Sequence, residues 1–350
     1  MGKTVKNLDE GHYGEIFNDY DNNKAKDTYS HAEGEGTIAY TVGSHTEGLH
    51  TKAGGKSDND INGSGRGSYA HAEGIESVAY GRGSHAGGNK TLAEGQYSHA
   101  EGCLFGETQT VAVGVGSHAE GRGTTASGDG SHSEGQRTHA EGENSHAEGR
   151  DTWARGSCSH VEGSENEIAA GAGSAHAEGW NTRANAACAH TEGNSSIANG
   201  ENSHAEGEST ISGGRASHAE GGSCQAIGDY SHAEGCNSQG IPVTAEGTGS
   251  HAEGQGTTAK RSGSHAEGIK SKADGNGAHA EGMSSTASNH SAHAEGYSAT
   301  AKGDASHAEG NGTTAEGTNS HAEGQGSVAK GVASHAEGYY TIARGDYSHA

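Results

Sequence analysis

The sequence predicts an all-β fold, a parallel β-roll or β-solenoid with 14-residue coils. Three observations predict it. The pentapeptide Ser-His-Ala-Glu-Gly recurs at fixed spacing, most cleanly from Ser250 to Ala350, where His251, His265, His279, His293, His307, His321, His335 and His349 follow at steps of 14 residues. Halfway between these histidines lies a second motif, Thr-x-Ala-x-Gly, as in Thr313, Ala315 and Gly317. Within each half the small residues fall on alternate positions, the period of a β-strand. A helix is excluded, because glycine recurs about every seven residues and no apolar stripe has the helical period.

Composition without order points to disorder. Glycine is 63 of 350 residues and aromatics are 5%, too little apolar surface for an ordinary core to offset the entropy of folding. The fixed period reverses that conclusion, since each unit of a repeat needs only its neighbours. One elongated body is expected. A net charge of -24 excludes nucleic acid as a partner, because phosphate binding needs a basic surface. No apolar run is long enough for a transmembrane helix, so no membrane insertion is expected. Met1 to Glu10 lacks an apolar h-region, so no secretory signal peptide is expected and synthesis is placed in the cytoplasm. Five cysteines, Cys103, Cys158, Cys188, Cys224 and Cys236, include no Cys-x-x-Cys. They predict neither a disulfide framework nor a zinc ribbon, only substitutions at turn positions.

In chain order, residues 1–22 are not repeat. They carry Tyr13, Ile16, Phe17 and Tyr20, and predict an end cap or docking segment, which a solenoid needs where the first coil lacks a neighbour. Residues 23–350 are the repeat, and the chain stops inside a motif at Ala350, as a truncated roll would. The ladder holds 22 histidines from His31 to His349. Four steps are longer: His45 to His71 by twelve residues, His99 to His118 by five, His160 to His176 by two, and His232 to His251 by five, the last with Pro242, the only proline. These predict loops near 49–63, 103–108, 164–174 and 236–243. Three are expected to follow the glycine of the His motif and so emerge at one edge.

Alternation places Ser30, Ala32 and Gly34 on one side of a strand and His31 and Glu33 on the other. In the intervening half Thr313, Ala315 and Gly317 share a side opposite Thr314 and Glu316. Two five-residue strands per turn, joined by two-residue turns, then enclose a thin roll that admits only small side chains. Glycine at the strand end permits a positive φ in the turn. Alanine burial, at roughly 25 cal/mol per Å², stabilises each coil only slightly, so lateral association is expected. The outward His/Glu face is uniform, whereas the other outer face varies: Ile38, Val78, Thr125, Trp153, Arg183, Gln225, Lys272 and Ile342 occupy equivalent places. Uniformity within one chain marks a geometric constraint. The predicted interface ladder includes His31, Glu33, His71, Glu73, His118, Glu120, His204, Glu206, His251, Glu253, His307, Glu309, His335 and Glu337.

This unit resembles the head repeat of the trimeric autotransporter adhesins, the YadA-like heads, whose Ser-Val-Ala-Ile-Gly pattern is similar to Ser-His-Ala-Glu-Gly with His and Glu in the two apolar places. The resemblance covers residues 23–350. It implies a left-handed parallel β-roll wound as a homotrimer. The Ser-His-Ala-Glu-Gly form, with the lead-in Gly14-Glu15-Ile16-Phe17-Asn18-Asp19-Tyr20, also resembles Gram-positive phage and prophage tail or appendage fibres, which often carry a C-terminal autoproteolytic chaperone; no such domain lies within this sequence.

Catalysis is not expected: Ser30 and His31 are adjacent in a strand and point to opposite faces, so one motif cannot pair nucleophile with base. Imidazole suits zinc, nickel, copper or iron, yet ions in every layer of a roll with layers about 4.8 Å apart would repel one another. We therefore read the ladder as structural, with no cofactor and room for only an occasional ion. Ice binding fails because Trp153, Arg183 and Lys272 interrupt the Thr column, and calcium-binding nonapeptide repeats fail on period. The expected function is a non-enzymatic, rigid fibre shaft on the order of 100 Å long, part of a phage tail or appendage acting in host-surface attachment. The alternatives are a bacterial surface adhesin head that binds matrix or glycan, and a self-assembling extracellular filament. The expected partners are the chain itself as a homotrimer and a bacterial surface receptor or glycan, in a virion or at a cell surface.

Overall fold

The computed structural model describes residues 23–55 and 68–350 in full and residues 14–17 by their backbone. The chain divides into two compact units, Met1–Gly179 and Trp180–Ala350. Each is a parallel β-solenoid, and no described residue is helical.

In the first unit a representative coil runs through Ser117, the strand His118–Arg122, a turn, and the short strand Thr125–Ala126. The next coil lies on it in register: His118 faces His132, Glu120 faces Glu134 and Gly121 faces Gly135, while Thr125 and Ala126 face His139 and Ala140. The second unit repeats the arrangement, with His251–Gln255 on His265–Ile269 and Thr258–Ala259 on Lys272–Ala273. Every coil thus supplies the hydrogen-bonding edge that the next one needs.

The expected inward faces are found. Ser117, Ala119, Thr124 and Ala126 are each at most 1% exposed, and the same four places form buried columns in both units. The serine also closes its own turn: Ser117 Oγ donates to the Gly114 carbonyl at 2.8 Å, which satisfies a polar group that burial would otherwise penalise. The intervening strand is two residues long rather than five. A residue with positive φ, Arg137 at 53° in one coil, bends the chain just before it, and a turn follows just after. The two-residue turns expected from the motif spacing are accordingly longer.

The insertions leave from two edges, two at each, rather than three from one. The additions after His99 and His232 follow the His strand and close as small hairpins, Phe105 against Thr108 and Ser238 against Ile241. The other two come after the short strand. Lys52–Ala53 still stacks between Ile38–Ala39 and Val78–Ala79, and Glu167–Ile168 still stacks on Trp153–Ala154. Stacking holds a strand at its seven-residue offset, so extra residues collect wherever the chain leaves the stack. The coil with two added residues also carries Ile168, Val161 and Asn166, among the largest fully buried side chains. A wider coil accommodates the larger core.

At the N-terminal end Gly14–Phe17 forms a parallel strand on Ser30–Glu35, with Ile16 opposite Ala32. It extends the stack by one layer. Tyr13, Tyr20 and the rest of the expected cap, and residues 56–63 of the expected 49–63 loop, lie outside the described residues.

All five cysteines are free. Four sit at turns or strand ends, but Cys224 occupies the buried Thr column, a correction to the turn assignment. Burial pushes its thiol up to about 11. We expect a thiol-disulfide reagent at pH 8 to label the exposed Cys158, Cys188 and Cys236 quickly and Cys224 only on unfolding; peptide mapping after a timed pulse measures this. Equal labelling of Cys224 would contradict its core placement.

A histidine and glutamate ladder on the outer face

Because His and Glu are two residues apart on one strand, they share the outward side. In-register stacking then sets imidazole on imidazole. In the first unit consecutive ring centroids lie 4.6 to 5.0 Å apart, and the His132 and His146 rings are parallel within 1°. In the second unit the spacing is 4.5 to 5.0 Å.

Within most motifs the glutamate turns toward its own histidine. The Nε2–Oε2 separations are 3.5 Å for His31 and Glu33, 3.4 Å for His118 and Glu120, 3.4 Å for His204 and Glu206, 3.9 Å for His251 and Glu253 and 3.8 Å for His335 and Glu337. Glu73, Glu134 and Glu148 instead reach forward, to His85 at 3.5 Å, His146 at 3.3 Å and His160 at 3.5 Å. His307 keeps its place in the stack, 4.6 Å from His293 and 4.7 Å from His321, with Glu309 beside Glu295 and Glu323. The ladder residues are therefore collected into one outer column in each unit. Side chains of His118 and Glu120 are 36% and 42% exposed.

The column is crowded for imidazole. Nε2 of His71, His118, His204, His251, His307 and His335 is buried with no hydrogen-bond partner. Burial, followed by the neighbouring imidazoles, lowers the pKa of His71, His204, His232, His265 and His307 below the ordinary value of 6.5, against the opposing pull of adjacent glutamates. These rings are neutral at pH 7. The serines face inward and are occupied by their turns, as Ser306 Oγ is with the Gly303 carbonyl at 2.7 Å. No motif brings its serine and histidine together, so the column lacks the elements of nucleophilic catalysis.

Parts of the chain are similar to a known family. Residues 107–131, 192–217, 294–320 and 322–348 match the family described as YadA head domain repeat (2 copies). No curated protein matches the chain. His and Glu are accommodated in this chain because those places point outward from the roll, while the inward places hold Ser and Ala. Each matched stretch carries its ladder pair or histidine, such as His118 and Glu120 in the first and His204 and Glu206 in the second.

Sequence reasoning missed the tyrosines. Tyr29, Tyr69 and Tyr97 in the first unit are 79%, 64% and 58% exposed, and Tyr230 and Tyr347 in the second are also exposed. All five sit at turns with positive φ, immediately before the first residue of the motif, which is serine except at Ala70. The Tyr69 ring lies against Gly43 and the Tyr97 ring against Gly83. The signal was the recurring Tyr-Ser-His-Ala, which the attention to the His motif passed over.

Proposed function

We propose that this chain forms the rigid shaft of a homotrimeric, non-enzymatic fibre, wound left-handed, of the phage tail or appendage kind, that serves attachment to a bacterial surface. The observation that carries it is the ladder itself: one outer column per unit, in which Nε2 atoms such as those of His71, His118, His204, His251, His307 and His335 are buried with no hydrogen-bond partner in the chain. Facing chains would supply those partners, and a buried polar ladder sets register between chains. The match to the YadA head repeat supports the same assembly. The variable column, with Arg183, Lys272 and Ile342 exposed, is left to meet solvent or a receptor. The test is the solution mass of the purified chain by light scattering. A mass of three chains is expected; a monomer at micromolar concentration would overturn the trimer and with it the role of the ladder.

The exposed tyrosines favour a second function, a surface adhesin head. Flat aromatic faces stack on sugars as well as on bases and peptides. Glycan-array binding by the trimer, abolished by Tyr97→Ala, would select it over a passive shaft.

A further inference from the structure

One layer of the ladder breaks its own rule. At His85 the motif reads Ser-His-Ala-Gly-Gly, and Gly87 is the one residue that replaces glutamate in any motif completed within the chain. Three features describe its surroundings. Glu73, from the layer before, extends to His85 at 3.5 Å, as Glu134 and Glu148 extend to His146 and His160. The His85 ring tilts 46° to that of His99, whereas most of the column is stacked nearly parallel. Finally, a Cβ placed on Gly87 would lie 3.3 Å from Glu73 Oε1 and 3.7 Å from His85 Nε2, so carboxylate and imidazole converge over the space a side chain would fill.

We propose that His71, Glu73 and His85 form a binding site for one divalent transition-metal ion of the zinc class, with a water in the fourth position. Ligand atoms of the three residues lie within 4.8 Å of one another. Zinc bonds to imidazole nitrogen and carboxylate oxygen of about 2.0–2.2 Å set the ligand–ligand edge of a tetrahedron at roughly 3.4 Å, close to the Glu73–His85 separation. A small rotation of His71 closes the third edge. Nε2 of both histidines is buried without a hydrogen-bond partner, so binding an ion displaces only the 3.5 Å contact between His85 and Glu73. Two imidazoles and one carboxylate are a borderline-soft donor set that suits zinc over calcium or magnesium.

Other layers are less suited for two reasons. Closely parallel rings direct their Nε2 lone pairs side by side instead of toward one point, as for His118 and His132 at 4°, whereas the His71 and His85 rings are 21° apart. Each of those layers also brings its own glutamate, which occupies the place left open at Gly87. Like charges in successive layers would also repel. A single ion at the irregular layer avoids that repulsion. The site lies wholly in the first unit, and counting ions per chain makes the result independent of the proposed trimer.

The test is zinc titration of the untagged full chain against a chromophoric chelator, with Co2+ absorption as a geometric readout. Expected is one tight ion per chain and the intense visible bands of tetrahedral cobalt. His85→Asn and Glu73→Gln should each weaken binding at least about tenfold. Gly87→Glu, which restores the regular motif and so is compatible with the fold, should do the same. Unchanged circular dichroism would show that each variant is folded. Overturning results are the absence of tight binding, uptake of many equivalent ions along the ladder, or a tight site that survives His85→Asn.

Discussion

Gly207→Ala is expected to destabilise the chain by more than about 3 kcal/mol and to lower its thermal midpoint by roughly 10 °C. Gly207 has φ of +107°, and a Cβ there would sit 2.2 Å from the Gly221 carbonyl oxygen. No side-chain rotation relieves a clash between Cβ and backbone. The next coil would have to move away, giving up in-register bonds such as the one from the Ser223 N–H to the Glu208 carbonyl at 2.8 Å. In a solenoid each coil is stabilised by its two neighbours, so one displaced layer weakens the stack on both sides. Gly312→Asn is the matched control. Its φ is +64°, and nothing lies within 4 Å of its Cβ position. Lys270, Ser284, Ser298 and Tyr340 hold the equivalent place with φ between 53° and 58°. Its effect should stay within about 0.5 kcal/mol. Circular dichroism melts of the two variants measure the contrast; equal effects would mean that glycine acts here through flexibility alone.

The second large effect is expected from acid. Eight ladder histidines, His45, His71, His99, His118, His204, His232, His265 and His307, have pKa values below the ordinary 6.5, with burial the largest cause in each. A folded pKa below the unfolded one means that the unfolded chain takes up protons first. The stabilisation is therefore complete above pH 6.5 and is lost as pH falls through the folded values. His204 shows the balance: burial, His190 and His218 oppose its charge, while Glu206 and Glu192 favour it. Once several stacked rings charge, each raises the cost for the next. Thermal midpoints should be flat from pH 8 to 6.5 and then drop by roughly 5 °C or more by pH 5. A flat profile down to pH 4.5 would show that the column does not titrate with folding.

What the sequence by itself determined is everything with a local cause. The strand period puts Ser117 and Ala119 inside and His118 and Glu120 outside, whatever lies 14 residues away. The recurring interval of 14 then sets like on like, so the coil, the small-residue core and the ladder were all legible. The tertiary structure alone decided what depends on contact between coils. Stacking held Lys52–Ala53 and Glu167–Ile168 in place and moved their insertions to the second edge. Close approach of carbonyls made Gly207 irreplaceable and left Gly312 free to vary. Crowding along the column buried the Nε2 atoms and lowered the histidine pKa values, and the absent side chain at Gly87 left open space beside Glu73 and His85. The physical division is one of range: alternation is a property of one strand, whereas clash, desolvation and ring tilt arise only when a neighbouring coil occupies the adjoining layer.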